Sequence, residues 1–261
     1  MNKRHCISAP PIIEEHRALL TDTVCQQSYK AMIENSVRPG DVVLDIGTGT
    51  GIHAMFAAQA GASKVYAVDV DPMIALAKEA ARANGFDQIE FIQMDSLQLE
   101  LPEKVDVIIA NLGFLGSIET LPDARKRFLK PDGRMIPDAL QMTFVPLVKN
   151  EFYNSTVGFW GQPQFGLDFS QFKQVAAFHP QYDFFNDEEF LSEPADGAMI
   201  EFNDQFSQDH AWNLNFSVDQ SGECCGFPRV GTVFLRRQYL YFIKPPIQMH
   251  KMFLESNFPP V

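Results

Sequence analysis

The sequence predicts an α/β fold in which a Rossmann-like parallel sheet is followed by a mostly antiparallel β-rich domain. Between residues 41 and 137, short apolar runs typical of buried strands alternate with helical segments, which favours a parallel sheet with helices on both faces. Beyond residue 137, segments such as 141–147 and 212–218 alternate apolar and polar residues with a period of two, as half-buried strands do. The expected domains are 1–137 and 138–261.

Each element of the first domain has its own local signal. Asp71 followed by Pro72 is typical of a helix start, and Asn84–Gly85 is typical of the same helix's end. A later helix is expected to run into Lys130–Gly133, which has turn composition, before a fifth strand. The predicted helices are 12–20, 22–35, 73–83 and 124–129, and the first four predicted strands are 42–44, 65–68, 89–92 and 105–110.

The segment from Asp45 to Gly51, Asp-Ile-Gly-Thr-Gly-Thr-Gly, directly follows the first predicted strand. Glycines let the backbone turn sharply and approach a ligand closely. The spacing differs from the dinucleotide fingerprint G-x-G-x-x-G, because position 52 is Ile, and the Gly-Lys-Ser/Thr of a Walker A loop is lacking. The Asp45 carboxylate would repel a pyrophosphate but attract the cationic methionine part of S-adenosylmethionine (SAM). The alternative is an ordinary tight turn in a flavodoxin-like sheet.

Polar residues also follow the next three predicted strands. Asp69 lies 24 positions after Asp45 (69 − 45), close to the spacing of about 20 residues at which a carboxylate binds ribose hydroxyls. Asp95, followed by Ser96, stands where a side chain could reach an adenine amino group, although Asp also starts turns for local reasons. Asn111 follows the fourth strand. Because ligands bind at the carboxyl ends of parallel strands, these residues are expected to converge on one site.

Composition narrows the class of protein. The net charge of −12 argues against direct binding of nucleic acid, whose phosphates require clustered cations; the acidity favours either a cationic substrate or merely solubility. No apolar run reaches the ~18 residues of a membrane span, and no secretory signal is expected after the basic start. The four cysteines lack a metal-ligand spacing, so we expect no metal and a reducing, cytoplasmic location.

Four stretches carry a family resemblance. They are 16–22 (HRALLTD), 43–51 (VLDIGTGTG), 129–133 (LKPDG) with Ile136–Pro137, and 166–170 (GLDFS). The chain resembles the class I SAM-dependent methyltransferases and, more narrowly, the protein arginine methyltransferases. The resemblance implies SAM as the cofactor, a protein or small-molecule methyl acceptor, and a β-barrel-like second domain that serves substrate binding or homodimerisation.

The sequence departs from this family where the acceptor is bound. The family holds a guanidinium with two glutamates after the fourth strand, an arrangement that suits a planar cation with five donors. Here Asn111 occupies the position of the first glutamate, and Glu119 is the only acidic residue between Asn111 and Asp123. We expect Asn111 to orient a nucleophile and Glu119 to bind a cation or accept a proton; the alternatives are a satisfied turn amide and a solvated charge. An arginine that the family uses for the SAM carboxylate falls near Cys25.

Two functions remain open at this stage. The first is a methyltransferase with Asn111 and Glu119 in its acceptor site, and the second is a catalytically weak SAM-binding scaffold; a nicotinamide dehydrogenase would be favoured only if NADH bound and SAM did not. His16 is expected beside the cofactor, although a single histidine more often serves packing. The predicted cofactor-binding residues are His16, Asp45, Gly47, Thr48, Gly49, Gly51, Asp69, Asp95 and Ser96.

Overall fold

The structure is a computed structural model that describes most of the 261 residues. The described ranges are 12–140, 142–148, 150–178, 181–183, 187–197, 199–202, 213–218, 221–231, 238–249 and 253–257.

Seven α-helices and three short 3-10 helices lie within these ranges. The α-helices are α1 (Ile12–Thr21), α2 (Thr23–Ser36), α3 (Ile52–Gln59), α4 (Ile74–Ala83), α5 (Gly113–Phe128), α6 (Glu151–Thr156) and α7 (Phe172–Phe178). The 3-10 helices are Ser96–Gln98, Gly158–Gly161 and Asp187–Glu189.

Fifteen strands lie within the same ranges. Those up to residue 136 are β1 (Val42–Ile46), β2 (Lys64–Asp69), β3 (Ile89–Gln93), β4 (Val105–Ala110) and β5 (Leu129–Ile136). The others are β6 (Ala139–Leu140), β7 (Met142–Phe144), β8 (Leu147–Val148), β9 (Gln181–Asp183), β10 (Ala195–Asp196), β11 (Ile200–Glu201), β12 (Asn213–Ser217), β13 (Gly222–Gly231), β14 (Gln238–Met249) and β15 (Phe253–Asn257).

The first five strands form one sheet in the order β3-β2-β1-β4-β5, and every neighbouring pair is parallel. The predicted parallel sheet is therefore confirmed. Val43, Leu44 and Ile46 of β1 are buried, as a central parallel strand covered on both faces requires. Because the chain runs to opposite sides of β1 when it continues into β2 and β4, the carboxyl end of β1 is the place where such sheets bind ligands.

Local signals predicted the helices before the sheet to within about a residue. Asp22 caps α2, since its Oδ1 accepts a hydrogen bond from the backbone N–H of Cys25 at 3.0 Å. Helix α4 ends as predicted at Ala83, followed by Gly85 with φ +78°. Its start at Ile74 lies one residue after the predicted one. The N-cap is Met73 and not the expected Asp71, whose carboxylate instead accepts from the N–H of Met73 at 2.7 Å in the turn before the helix.

Helix α5 begins eleven residues before the predicted helix start at 124. Pro122, which lacks an N–H, lies within it. The helix nevertheless continues, because Leu121, Ala124 and Phe128 lie three and four positions apart and are all buried on one face. Burial of this apolar face outweighs the local preference against proline.

The predicted turn at residues 130–133 lies inside β5. Val105 pairs with Leu129, and Val107 pairs with Arg134. Residues 130–133 therefore lie opposite Asp106 alone. The Lys130 ammonium lies 2.8 Å from both oxygens of Asp106 and attaches the irregular segment to β4. The turn composition therefore produces a local bulge without ending the strand.

The strands after residue 140 pair antiparallel where their registers are described. The largest sheet has the order β10-β7-β13-β14-β9, with β8 also paired to β13. The chain divides into two compact units, residues 1–138 with 201–206, and residues 139–200 with 207–261. The predicted boundary after residue 137 stays a prediction, since compactness alone does not show that either unit folds by itself.

Candidate functional site

The glycine turn between β1 and α3 has the backbone that the sequence led us to expect. Gly47, Gly49 and Gly51 all have positive φ angles, of 70°, 52° and 79°, a region that L side chains rarely adopt. The N–H groups of Gly47 and Thr48 donate to the carbonyl of Val68 in β2, at 2.8 and 3.1 Å. The turn is therefore attached to the neighbouring strand.

Neighbouring side chains lie against two of these glycines. A Cβ added at Gly49 would lie 2.8 Å from Cε1 of His16, and one added at Gly47 would lie 2.2 Å from a methyl carbon of Leu112. His16 in α1 thus packs over the turn and is partly buried. Glycine is needed at both positions for close packing as well as for backbone conformation.

Asp45 is completely buried beneath this turn, with 0% of its surface exposed. Its Oδ2 accepts a hydrogen bond from the Thr48 hydroxyl at 2.6 Å, whereas Oδ1 has no hydrogen-bond partner in the structure. Burial raises the pKa of Asp45 to about 7; Thr48 and the Ala54 backbone N–H oppose the rise, and the charge of Asp69 adds to it. A buried carboxylate oxygen without a partner indicates an incoming donor or cation.

Asp69, at the end of β2, holds the glycine turn through its carboxylate. Oδ2 accepts from the N–H of Gly49 at 2.7 Å, and Oδ1 accepts from the N–H of Asp71 at 3.0 Å. The side chain is only partly buried. The structure therefore gives Asp69 a positioning role that the sequence did not predict, alongside the predicted role toward ribose.

Asp95 and Ser96 lie just after β3. The Asp95 Oδ1 accepts from the N–H of Leu97 at 2.9 Å and caps the 3-10 helix Ser96–Gln98. This is the local turn role that the sequence left open for Asp95. Asp95 is exposed and Ser96 is partly buried.

Three exposed apolar side chains follow the same strand ends. Val70 after β2 is 65% exposed, and Met94 and Leu97 after β3 are 41% and 50% exposed. Apolar side chains are normally covered unless they line a binding site or an interface, although single exposed ones are common. These three side chains are therefore exposed apolar groups that lie close in the chain to Asp69 and Asp95.

The predicted acceptor residues are described to different extents. Asn111 follows β4 and is partly buried, and its Nδ2 donates a weak hydrogen bond to the Sγ of Cys25 at 3.9 Å. Burial, followed by the nearby Asp22, raises the pKa of Cys25 to about 11, so its thiol stays protonated. Glu119 is a residue of α5, but its side chain is not among those that the structure describes.

A buried polar cluster beside the site was missed by sequence reasoning. The Tyr29 hydroxyl donates to the carbonyl of Ala110, the last residue of β4, at 3.1 Å. The Tyr29 ring stacks on His53 at 4.6 Å, and His53 Nε2 lies 3.2 Å from the Gln26 Oε1. Burial lowers the pKa of His53 to about 4 and raises that of Tyr29, so both stay neutral near pH 7. The three-residue spacing of Gln26 and Tyr29 on one helix was the available signal.

Two negative observations apply to the ranges that the structure describes. There, no three His, Cys, Asp or Glu side chains lie together as metal ligands would. Among the helices in those ranges, none has the length and apolar character needed to cross a bilayer.

Comparison with known protein families and curated proteins agrees with this geometry. Residues 21–140 match the model of the ribosomal protein L11 methyltransferase family. The chain is 36% identical over 172 residues to a probable protein arginine N-methyltransferase 6 of Arabidopsis thaliana, covering 62% of this chain and 39% of that protein. It is 32% identical over 227 residues to a ribosomal protein arginine N-methyltransferase of Schizosaccharomyces pombe, rmt3, covering 81% and 41%.

Solved structures show the same fold. The Trypanosoma brucei protein arginine methyltransferase 1 enzyme-prozyme complex with S-adenosylhomocysteine superposes with a TM-score of 0.74 at 26% identity, covering 90% of this chain and 84% of that one. An Arabidopsis thaliana protein arginine methyltransferase 10 structure gives a TM-score of 0.68 at 23% identity, with the same coverage.

These comparisons confirm the resemblance to class I SAM-dependent methyltransferases, and among them to the protein arginine methyltransferases. The chain spans between about a third and a half of the length of the curated relatives that it matches, at 39%, 49% and 41% of three of them.

Proposed function

We propose that this chain binds SAM at the carboxyl edge of its parallel sheet and transfers the methyl group to a nucleophile, as an enzyme of the protein arginine methyltransferase type. The observation that carries the proposal is the Oδ1 atom of Asp45, a buried carboxylate oxygen without a partner at the topological switch point of the sheet. A buried polar atom of this kind is costly unless a ligand completes it.

The residues present fit SAM by their chemistry. Asp45 offers a negative charge to the cationic methionine part, while the glycine turn at Gly47, Thr48, Gly49 and Gly51 allows close approach. The glycine turn by itself would suit either SAM or a phosphate-bearing nucleotide. The buried Asp45 carboxylate favours SAM, because a negative charge there would repel a phosphate. We propose that these residues, with His16 over the turn, form the methionine side of the site.

The nucleoside side would lie along the ends of β2 and β3. We propose that Asp69 binds the ribose hydroxyls, for which its partly exposed carboxylate is suited. Asp95 and Ser96 would hydrogen-bond the adenine, and the exposed side chains of Val70 and Met94 would cover its faces.

SAM, when bound, supplies a methyl group on a positively charged sulfur, which is open to in-line displacement. The chain's contribution is to hold the nucleophile in a near-attack geometry. We propose that the Asn111 side-chain oxygen orients the nucleophile, since its Nδ2 is already directed at Cys25. Glu119 would bind a cationic acceptor or take its proton. The acceptor is proposed to carry a nitrogen nucleophile, as an arginine side chain does, on a protein or a small molecule.

We also propose a β-rich, barrel-like second domain, about residues 138–261, that serves substrate binding or a homodimer. Antiparallel pairing of the described strands in this part supports it. Exposed apolar side chains between residues 159 and 175 support self-association; they are Phe159, Phe165, Leu167, Phe172 and Val175, and Phe165 is fully exposed. A cytoplasmic location is proposed because the four cysteines of the sequence have neither a metal-ligand spacing nor the density of a disulfide scaffold.

The second candidate function is a SAM-binding scaffold with little catalysis, favoured by an amide at position 111 where the family has a carboxylate. Calorimetric titration with SAM, paired with transfer of labelled methyl from SAM to arginine-rich peptides and to small amines, distinguishes the two. Binding together with labelled product supports the enzyme. Binding without product from any acceptor supports the scaffold, and no binding of SAM rejects both.

A further inference from the structure

Arg127 of α5 is hydrogen-bonded to three backbone carbonyls of the segment that follows β3. Its Nη1 donates to the carbonyls of Ser96 and Leu97, at 3.0 and 3.2 Å, and its Nη2 donates to the carbonyl of Leu99. The same Nη1 lies 2.9 Å from Oδ2 of Asp123, one helical turn earlier in α5. A single side chain therefore contacts two carbonyls of the 3-10 helix Ser96–Gln98 and the carbonyl of Leu99, which follows it.

A second contact attaches the same connection to the end of α5. The ammonium of Lys104, just before β4, donates to the carbonyls of Lys126 and Arg127 at 3.3 and 2.5 Å. These carbonyls belong to the last turn of the helix, which lacks partners within the helix itself. Both ends of the connection between β3 and β4 are thus fastened to α5.

We propose that Arg127 is a positioning residue for recognition of the adenine base. This inference rests on the proposed function, in which Asp95 and Ser96 hydrogen-bond the adenine. Ser96 is one of the residues whose carbonyl Arg127 holds, and Asp95 immediately precedes it in the capped turn. Arg127 itself does not reach the ligand; it sets where Asp95 and Ser96 stand.

The guanidinium is chemically suited to this role. Its planar fork presents five N–H donors in fixed directions, so one side chain can contact three carbonyls and a carboxylate together, with one N–H of Nη1 shared between two acceptors. The side chain of Arg127 is only 29% exposed and that of Asp123 only 33%. A lysine ammonium at this position could keep the ion pair with Asp123, but it would not reach the three carbonyls in the same geometry.

The test compares two ligands that differ only in the base: S-adenosylhomocysteine and its inosine counterpart, in which an oxygen replaces the adenine amino group and N1 carries a hydrogen. A carboxylate at Asp95 accepts a hydrogen bond from the amino group and repels the oxygen. The quantity measured is the ratio of the two dissociation constants, by calorimetry on the full chain. A misfolded fraction of the protein affects both titrations equally. The ratio of the two dissociation constants therefore reports the positioning of the turn and not the stability of the protein.

We expect the wild type to prefer the adenine ligand by tenfold or more, and Arg127→Met to reduce this preference to about threefold or less. Arg127→Lys should give an intermediate ratio, and Asp123→Asn, which keeps the carbonyl contacts, a ratio near that of the wild type. The matched control is Arg82→Met, which removes an exposed arginine paired to Glu79 on α4 and should leave the ratio unchanged.

A preference in Arg127→Met equal to that of the wild type overturns the inference while leaving SAM binding intact. A wild type that binds both ligands equally overturns it as well. A wild type that binds neither S-adenosylhomocysteine nor SAM rejects the proposed function itself, and this inference with it.

Discussion

The carboxylate of Asp69 accepts a hydrogen bond from the backbone N–H of Gly49 at 2.7 Å. The last residue of β2 therefore sets the position of the glycine turn that follows β1. The two residues are separated by twenty positions in the chain, and the parallel pairing of β1 with β2 brings them together.

Replacing Asp69 with alanine should weaken SAM binding by roughly 1–3 kcal/mol, or about 5- to 150-fold, because a charge-assisted acceptor is lost from both the turn and the proposed ribose contact. Titration calorimetry measures the change. Asp71→Ala is the control, since it keeps the backbone N–H that donates to Asp69 and removes only the carboxylate that accepts from Met73; it should change the affinity less than threefold. Equal effects of the two substitutions would remove Asp69 from the site.

Replacing Gly49 with alanine should weaken SAM binding and lower stability. The backbone at φ +52° costs an L residue about 1 kcal/mol or more, and the new methyl group would lie 2.8 Å from the His16 ring. The double variant Gly49→Ala, His16→Ala should recover the part due to the collision. Gly85→Ala, at φ +78° with nothing within 4 Å, is the matched control: it should lower the thermal midpoint without changing the affinity for SAM.

Asp45 should make a contribution to the stability of the ligand-free protein that falls as the pH rises from about 4 to about 7. His53, whose pKa is lowered from 6.5 to about 4, makes an opposite contribution over nearly the same range, so the Asp45 part is read from the difference between the wild type and Asp45→Asn. Asp45 has its pKa raised from 3.8 to about 7 by burial, so in this window the folded state binds a proton that the unfolded state has lost. Stability from this group is fully present below the unfolded pKa and is lost as the pH passes the folded one, by up to about 1.4 kcal/mol per pH unit. Chemical unfolding of Asp45→Asn should lack this component; an unchanged pH profile would contradict the assignment.

The affinity for SAM should increase between about pH 6 and pH 8. The proposed cationic ligand favours the charged form of Asp45, so binding below the folded pKa of about 7 requires loss of a proton. Calorimetry in two buffers with different ionisation enthalpies should detect this proton at pH 6 and much less of it at pH 8. Asp45→Asn should bind weakly at both pH values and release no proton.

Replacing Tyr29 with phenylalanine should reduce the free energy of unfolding by about 1 kcal/mol, because the carbonyl of Ala110 loses its buried donor. Denaturant unfolding gives the value. Tyr66→Phe is the control: its hydroxyl bonds to Glu103, which is exposed and can turn to water, so we expect a loss below about 0.5 kcal/mol. A loss for Tyr29→Phe no larger than that for Tyr66→Phe would show that the bond from Tyr29 to Ala110 adds little to stability.

Replacing Asn111 with alanine should lower kcat/KM for methyl transfer by tenfold or more while changing the affinity for SAM little, because the side chain is proposed to meet the acceptor and not the cofactor. Labelled methyl transfer and calorimetry measure the two quantities separately. A parallel loss of SAM affinity would place Asn111 on the cofactor side, next to Cys25.

Local sequence signals worked best where one physical effect dominates. The apolar runs of β1, β2 and β4 match a buried parallel strand, and Asp22 caps α2 through its own side chain. The start of α5 was missed because Pro122 argues against a helix locally, whereas burial of Leu121 and Ala124 favours one. No local signal reports burial against residues that are distant in the chain.

Residue type and spacing were enough to predict the parallel strands, the glycine turn after β1 and the carboxylates at or near the ends of β1 and β2. The role of each carboxylate depends on the packing of the folded chain. That packing placed Asp45 wholly out of water with one oxygen unpaired, joined Asp69 to Gly49, and fastened the segment after Asp95 to α5 through Arg127. These relationships depend on distances between separate elements, which only the packed chain establishes.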